Sequence, residues 1–166
     1  MASFNNTSLV VLAWGNISRG DDAAGPVLAE KIQELNHNGI QLEEDLQLNI
    51  EHVMDLQSQI PVLFIDASCK PKQGFYLEKI AATPDSSIST HSVSPEALLH
   101  LFEKTHGIKA PEAFMLHISG QEFELGQVIS QHTQNAVDQA WDFLLYLFSL
   151  PDDEWYPYLK ISASSN

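Results

Sequence analysis

The chain has 166 residues, of which 44% are hydrophobic and 18% are charged, a composition typical of one soluble domain with a substantial core. Its 22 acidic and 8 basic side chains leave a net charge of −14, which argues against nucleic acid and anionic membranes as partners. The single cysteine, Cys69, excludes an internal disulfide and fits a reducing cytosol. Residues 1–7 are polar and lack the layout of a signal peptide, and no window approaches ~18 apolar residues, so we expect a cytoplasmic protein without a membrane span.

The first predicted strand runs from Ser8 to Leu12 and leads through a glycine-containing turn into an amphipathic helix over residues 22–35. Asp21 and Asp22 lie at the start of that helix. Asp at such a position usually caps free N–H groups and complements the helix dipole, but two adjacent acids cannot both be the N-cap. One of them is therefore free to point across the end of the sheet. Their negative charge argues against a phosphate site in this loop.

The rest of the chain alternates between strands and helices. The third predicted strand, residues 60–66, is the most apolar and ends in Asp66. The segment after it is too short for a helical crossover, so the fourth strand is expected to pair antiparallel at an edge of the sheet. The remaining predicted strands are residues 40–46, 74–80 and 113–119. A short helix is predicted at 49–57. Two further helices are predicted from their start signals: one begins at Ser94 with Pro95 in its first position, and the long last helix is capped by Thr133.

These elements predict one α/β domain over residues 1–150. Its core is a five-stranded, mostly parallel, twisted sheet with an antiparallel edge strand and helices on both faces. Pro151 ends the long helix. Residues 151–166 are predicted to form an acidic tail whose exposed aromatic side chains, Trp155, Tyr156 and Tyr158, dock on this domain or on a partner.

Three side chains are candidates for one site. If the first and third strands are parallel neighbours, Asp22 and Asp66 share a crevice at the carboxyl edge of the sheet, where open α/β folds bind ligands. The alternative for Asp66 is that it only starts the next turn. Among the seven histidines, His91 differs because it follows a Ser/Thr-rich loop and precedes a capped helix, so it can project over the same edge. His117 is better explained as a histidine within a strand.

With these residues the chain resembles the hydrogenase maturation proteases. The resemblance is carried by Leu12-x-x-Gly15-Asn16-x-x-x-x-Asp21-Asp22-x-x-Gly25, by Phe64-Ile65-Asp66-Ala67 and by Thr90-His91-Ser92, and it covers about residues 8–148. These proteases remove the C-terminal extension from the nickel-loaded large subunit of [NiFe] hydrogenases. The resemblance implies that Asp22, Asp66 and His91 are both the metal-recognition and the catalytic residues.

The resemblance also implies how such a site is used. The protein has no cofactor of its own: nickel arrives with the large-subunit precursor, and zinc or cadmium can replace it in the site. Two carboxylates and an imidazole suit Ni²⁺, Zn²⁺ or Mn²⁺. The ion can polarise the scissile carbonyl or activate water, and an acid can act as base. We expect a monomer, with a cytosolic NAD-reducing hydrogenase as its client.

Other classes fit the residues less well. The chain has no His-Glu-x-x-His zinc helix, and no Cys–His or Gly-x-Ser-x-Gly arrangement that would favour a nucleophilic peptidase. The remaining alternative is a non-catalytic α/β module that binds a metal or a small molecule. The chain also departs from the family pattern, with Ala13 and Ala23 where glycine is usual, and the bulk of Trp14 is expected to reshape the substrate cleft.

Overall fold

The computed structural model describes residues 6–84 and 92–165. Within them, five strands form one sheet in the order β2-β1-β3-β5-β4. The strands are β1 (Leu9–Trp14), β2 (Ile40–Asp45), β3 (Val62–Ser68), β4 (Phe75–Ile80) and β5 (Ala113–Ser119). All neighbours are parallel except β4, which pairs antiparallel with β5 at the edge. The predicted α/β class and the antiparallel edge strand are confirmed.

Helices cover both faces of the sheet, as predicted. They are α1 (Ala24–Leu35), α2 (Pro95–His106), α3 (Gln131–Ser149) and α4 (Trp155–Ser164). One core cluster joins the sheet to α1, α3 and α4, and a second joins its other face to α2. None of the helices in the described part of the chain is long and apolar enough to cross a membrane.

The central strands explain the strongest sequence signal. In β3, Val62, Leu63, Phe64 and Ile65 are all 0% exposed because helices cover both faces of the strand. A parallel strand in this position needs apolar side chains in both directions and therefore loses the polar alternation of an edge strand. The strand also continues beyond the predicted end: Asp66 lies within β3, which runs to Ser68.

Helix starts were predicted with mixed success. Ser94 is the N-cap of α2 and Pro95 its first residue, as predicted, and the Ser94 side chain accepts the N–H of Ala97. Thr133 is not the cap of α3. Ser130 takes that role by accepting the N–H of Thr133, whose hydroxyl is buried and donates to the carbonyl of Ser119. The helix predicted at 49–57 is a short 3-10 segment, Ile50–Asp55.

The C-terminal segment packs on the sheet. Trp155 and Leu159 of α4 are 0% exposed and belong to the same core cluster as α1 and α3. The indole N–H of Trp155 donates to the carbonyl of Leu150 at 3.1 Å. The predicted docking of these aromatic side chains on this domain is confirmed, since Tyr156 and Tyr158 are partly buried against the same cluster. The predicted exposure is wrong for Trp155.

Candidate active site at the carboxyl edge of the sheet

The parallel pairing of β1 with β3 brings Trp14 and Asp66 to one end of the sheet. The paired positions run from Val10 with Val62 to Ala13 with Ile65, so both strands end at the same edge. Side chains alternate along a strand. Trp14 therefore emerges on the face that carries Phe64, whose ring it meets edge-on at 6.1 Å between centroids.

Asp66 lies on that same face, mostly removed from solvent. Burial raises the pKa of its carboxyl, and the negative charge of Asp22 raises it further, to about 7. Hydrogen bonds from the Ala67 N–H and the Trp14 indole act in the opposite direction. Its Oδ1 atom is buried and has no hydrogen-bond partner among the described residues. A buried, unpaired carboxylate oxygen beside a second carboxylate is a site that a cation would stabilise.

Asp22 reaches this edge from the loop after β1. It lies in a 3-10 turn, Gly20–Ala23, that precedes α1 and packs against β3. Its Oδ2 atom accepts the backbone N–H of Asn16 at 2.6 Å. The carboxylate is only partly buried, so it remains accessible from the sheet edge. The predicted crevice shared by Asp22 and Asp66 is thus supported by the electrostatic interaction between them.

Two glycines allow the loop to close so tightly. A Cβ atom on Gly15 would lie 1.9 Å from the carbonyl oxygen of Asp22, and one on Gly25 would lie 2.2 Å from that of Trp14. Both contacts involve backbone atoms, which cannot move aside without opening the turn. The chain has glycine at these two positions. Ala13 and Ala23, where the family usually has glycine, fit into the fold as alanine.

Asp21 has a different role from its neighbour. It is 0% exposed, and its carboxylate accepts backbone N–H groups from Gln121, Glu122 and Ser130 at 2.8–2.9 Å. Burial alone would raise its pKa, but these donors lower it to about 2. The interpretation of these acids as helix caps is wrong, because the turn starts at Arg19 without a side-chain cap. Asp21 instead ties the loop before α3 to the turn that carries Asp22.

His91 lies outside the described residues, so the structure leaves its predicted place at the site as a prediction. Within residues 6–84 and 92–165, no three His, Cys, Asp or Glu side chains are close enough together to hold a metal ion. Of the three predicted ligands, Asp22 and Asp66 lie in the described part of the chain, and the negative charge of Asp22 acts on Asp66.

A second polar cluster, which the sequence did not reveal, lies beside Asp66. His117 of β5 is the register partner of Asp66, and paired positions point to the same face. Its Nε2 atom is 2.8 Å from the Glu78 carboxylate, which also binds Lys70, and its ring stacks on Tyr76. Burial lowers the His117 pKa, although Glu78 opposes that shift. His117 is thus a histidine within a strand, as predicted, and its contact with the Glu78 carboxylate holds the ring in place.

Comparison with known proteins identifies the fold that carries these residues. No model of a protein family matches the chain, and no curated protein matches it in sequence. Solved structures do. The [NiFe] hydrogenase maturation protease HycI from Thermococcus kodakarensis superposes with a TM-score of 0.64 at 20% identity, over 83% of this chain and 90% of its own. The chain has the fold of the hydrogenase maturation proteases.

Two further protease structures give the same result. The hydrogenase maturating endopeptidase HybD from E. coli has a TM-score of 0.67 at 16% identity and covers 84% of this chain and 91% of its own. Hydrogenase 2 maturation peptidase from a Thaumarchaeota archaeon has a TM-score of 0.62 at 17% identity, and the match covers 87% of this chain and 100% of the peptidase. The resemblance that three short motifs indicated is confirmed for the maturation-protease fold.

Proposed function

We propose that this protein is an endopeptidase that removes the C-terminal extension of a nickel-loaded [NiFe] hydrogenase large-subunit precursor. The observation that carries the proposal is Asp66, largely buried near the carboxyl end of β3 in a maturation-protease fold and acted on by the negative charge of Asp22. The unpaired Oδ1 atom of Asp66 supports it, because burial and the negative charge of Asp22 raise the pKa of Asp66, and a bound cation would offset both effects.

Nickel belongs to the substrate in this proposal. Asp22, Asp66 and His91 complete the coordination of the ion that the precursor carries, so that a precursor without nickel is a poor substrate. Carboxylate and imidazole ligands suit Ni²⁺ and accept Zn²⁺ or Cd²⁺ in its place. The protein needs no metal of its own, and we propose that it acts as a monomer in the cytoplasm.

The reaction is hydrolysis of one peptide bond. Water adds its hydroxyl to the carbonyl carbon, the C–N bond breaks, and the leaving amine takes up a proton. A metal-bound carbonyl is more electrophilic, and a carboxylate beside it can carry the proton from water to the amine. Asp22 and Asp66 are the described groups that can take this role.

Incubation with nickel-loaded and nickel-free precursor tests the proposal. Mass spectrometry is expected to show loss of a C-terminal segment only from the loaded precursor. Asp22→Asn, Asp66→Asn and His91→Ala are expected to block that loss while circular dichroism remains unchanged. Glu51→Gln, an exposed acid on the 3-10 segment after β2, is the control and is expected to cleave normally.

Equal cleavage of both precursor forms would refute recognition of nickel. Absence of cleavage, together with stoichiometric metal binding that requires Asp22 and Asp66, would instead show a non-catalytic metal-binding module.

A further inference from the structure

We propose that three exposed aliphatic side chains beside the candidate site form the surface on which the hydrogenase precursor docks. This inference rests on the function proposed above. The side chains are Ile17, Leu125 and Val128, which are 69%, 67% and 84% exposed. We call them the loop patch. Single exposed aliphatic residues are common, but three on adjoining loops at a functional edge indicate an interaction surface.

Backbone hydrogen bonds join the two loops that carry the patch. The N–H of Gly126 donates to the carbonyl of Ser18 at 2.7 Å, and the N–H of Gly20 donates to that of Gln127 at 3.0 Å. Gly20 has φ +56°. A Cβ atom there would lie 2.4 Å from the carbonyl oxygen of Glu122. This close approach between the two loops requires glycine. It places the segment that carries Ile17 beside the segment that carries Leu125.

The base of this unit is held by Asp21. Its buried carboxylate takes N–H groups from Gln121, Glu122 and Ser130, and its own N–H donates to the carbonyl of Glu122 at 2.7 Å. The loop patch is therefore presented on an ordered support. Docking on such a surface loses less conformational entropy than docking on a flexible loop.

The position of the loop patch indicates which partner binds there. The Asp22 carboxylate accepts the N–H of Asn16, the residue that precedes Ile17, so the loop that carries Ile17 borders the candidate site. A protein seated on the patch would thus place a segment of its chain at Asp22 and Asp66. The precursor around its C-terminal extension is the partner that this position fits.

Charge around the patch further describes that partner. Glu122 and Glu124 are exposed on the same loop, and Arg19 is the only Lys or Arg in residues 16–20 and 121–128. Together with the net charge of −14, this acidic rim favours a client surface with an apolar centre and basic residues around it.

Steady-state cleavage of a nickel-loaded precursor tests the inference. Ile17→Ser, Leu125→Ser and Val128→Ser are each expected to raise KM about fivefold and leave kcat within about twofold, because exposed aliphatic contacts contribute to binding and not to chemistry. The matched control is Ile161→Ser on α4, which changes the same side chain at 67% exposure and is expected to leave KM unchanged.

Several outcomes would overturn the docking surface. They are an unchanged KM in all three patch variants, an equal rise in Ile161→Ser, or sedimentation showing that the wild type self-associates through the patch. Failure of the proposed function is distinguishable, since the wild type would then cleave no precursor. Biolayer interferometry on the Asp22→Asn protein measures docking independently of cleavage, and Ile17→Ser is expected to weaken that binding about fivefold.

Discussion

Asp21 and Asp22 are consecutive residues whose carboxylates bind different partners: Asp21 takes three N–H groups from the loop before α3, and Asp22 takes one from Asn16. The first residue is fully buried and the second is partly exposed. One turn therefore carries a structural acid and a candidate catalytic acid side by side. The position of Asp22 in the turn depends on the anchoring that Asp21 provides.

Replacement of Asp21 by asparagine is expected to destabilise the protein. The amide keeps one acceptor oxygen but turns an NH₂ group toward backbone N–H donors, so the free energy of unfolding should fall by about 2 kcal/mol. Urea denaturation measures this. Asp22→Asn is the matched control, because the amide oxygen can still accept the Asn16 N–H. Equal stabilities of the two variants would contradict the assigned roles.

The low pKa of Asp21 also predicts an acid transition. Its folded pKa, about 2, lies below the ordinary value of 3.8, so its stabilising effect is present above pH 3.8 and is lost as pH falls toward 2. The difference in stability between wild type and Asp21→Asn is expected to shrink across this window. A difference that stays constant from pH 5 to pH 2 would show that the charge is not what the loop binds.

Asp66 has the opposite dependence on pH. Its folded pKa, about 7, lies above the ordinary value of 3.8 because of burial and the charge of Asp22. The folded state is thus most favoured below pH 3.8 and loses stability as pH rises through 7. In metal-free protein, Asp66→Asn is expected to raise the free energy of unfolding at pH 8 by about 2 kcal/mol and to leave it almost unchanged at pH 4. A stabilisation equal at both pH values would rule out the charge as its cause.

Gly25 is expected to tolerate no side chain. Gly25→Ala forces a Cβ atom against the Trp14 carbonyl, at 2.2 Å in the present backbone, and should lower the free energy of unfolding by about 3 kcal/mol. Gly107→Ala is the comparison: its added Cβ meets no atom within 4 Å, but φ is +67°, so a loss of about 1 kcal/mol is expected. Thermal denaturation of both variants tests the difference.

The buried indole of Trp155 predicts that α4 belongs to the folded core. Trp155→Ala removes a 0% exposed side chain from the face shared with α1 and α3, and should cost about 3–5 kcal/mol of stability. Ile161→Ala, on the same helix at 67% exposure, should change stability by less than about 0.5 kcal/mol. Chemical denaturation that found both variants alike would place α4 outside the cooperative unit.

Local patterns determined most of the fold. The apolar run of β3, the Ser-Pro start of α2 and the short connection before β4 each depend on neighbours in sequence, and each predicted its element correctly. Thr133 has a residue type typical of a helix cap, but its hydroxyl bonds to the carbonyl of Ser119, a residue outside the helix that the local pattern does not include. The apolar residues in 49–57 have helical spacing, but the segment is too short for that spacing to distinguish a 3-10 segment from an α-helix.

The sequence by itself determined the alternation of strands and helices and placed Asp22 after the first strand and Asp66 near the end of the third, because hydrophobic runs and connection lengths are local features. That these two strands are parallel neighbours was an assumption at that point, and the sheet confirms it. Only the tertiary structure decided that Asp21 is an anchor, that His117 pairs with Glu78, and that Trp155 is buried. Each of these depends on a partner far away in the chain, and such partners leave no periodic or local mark in the sequence.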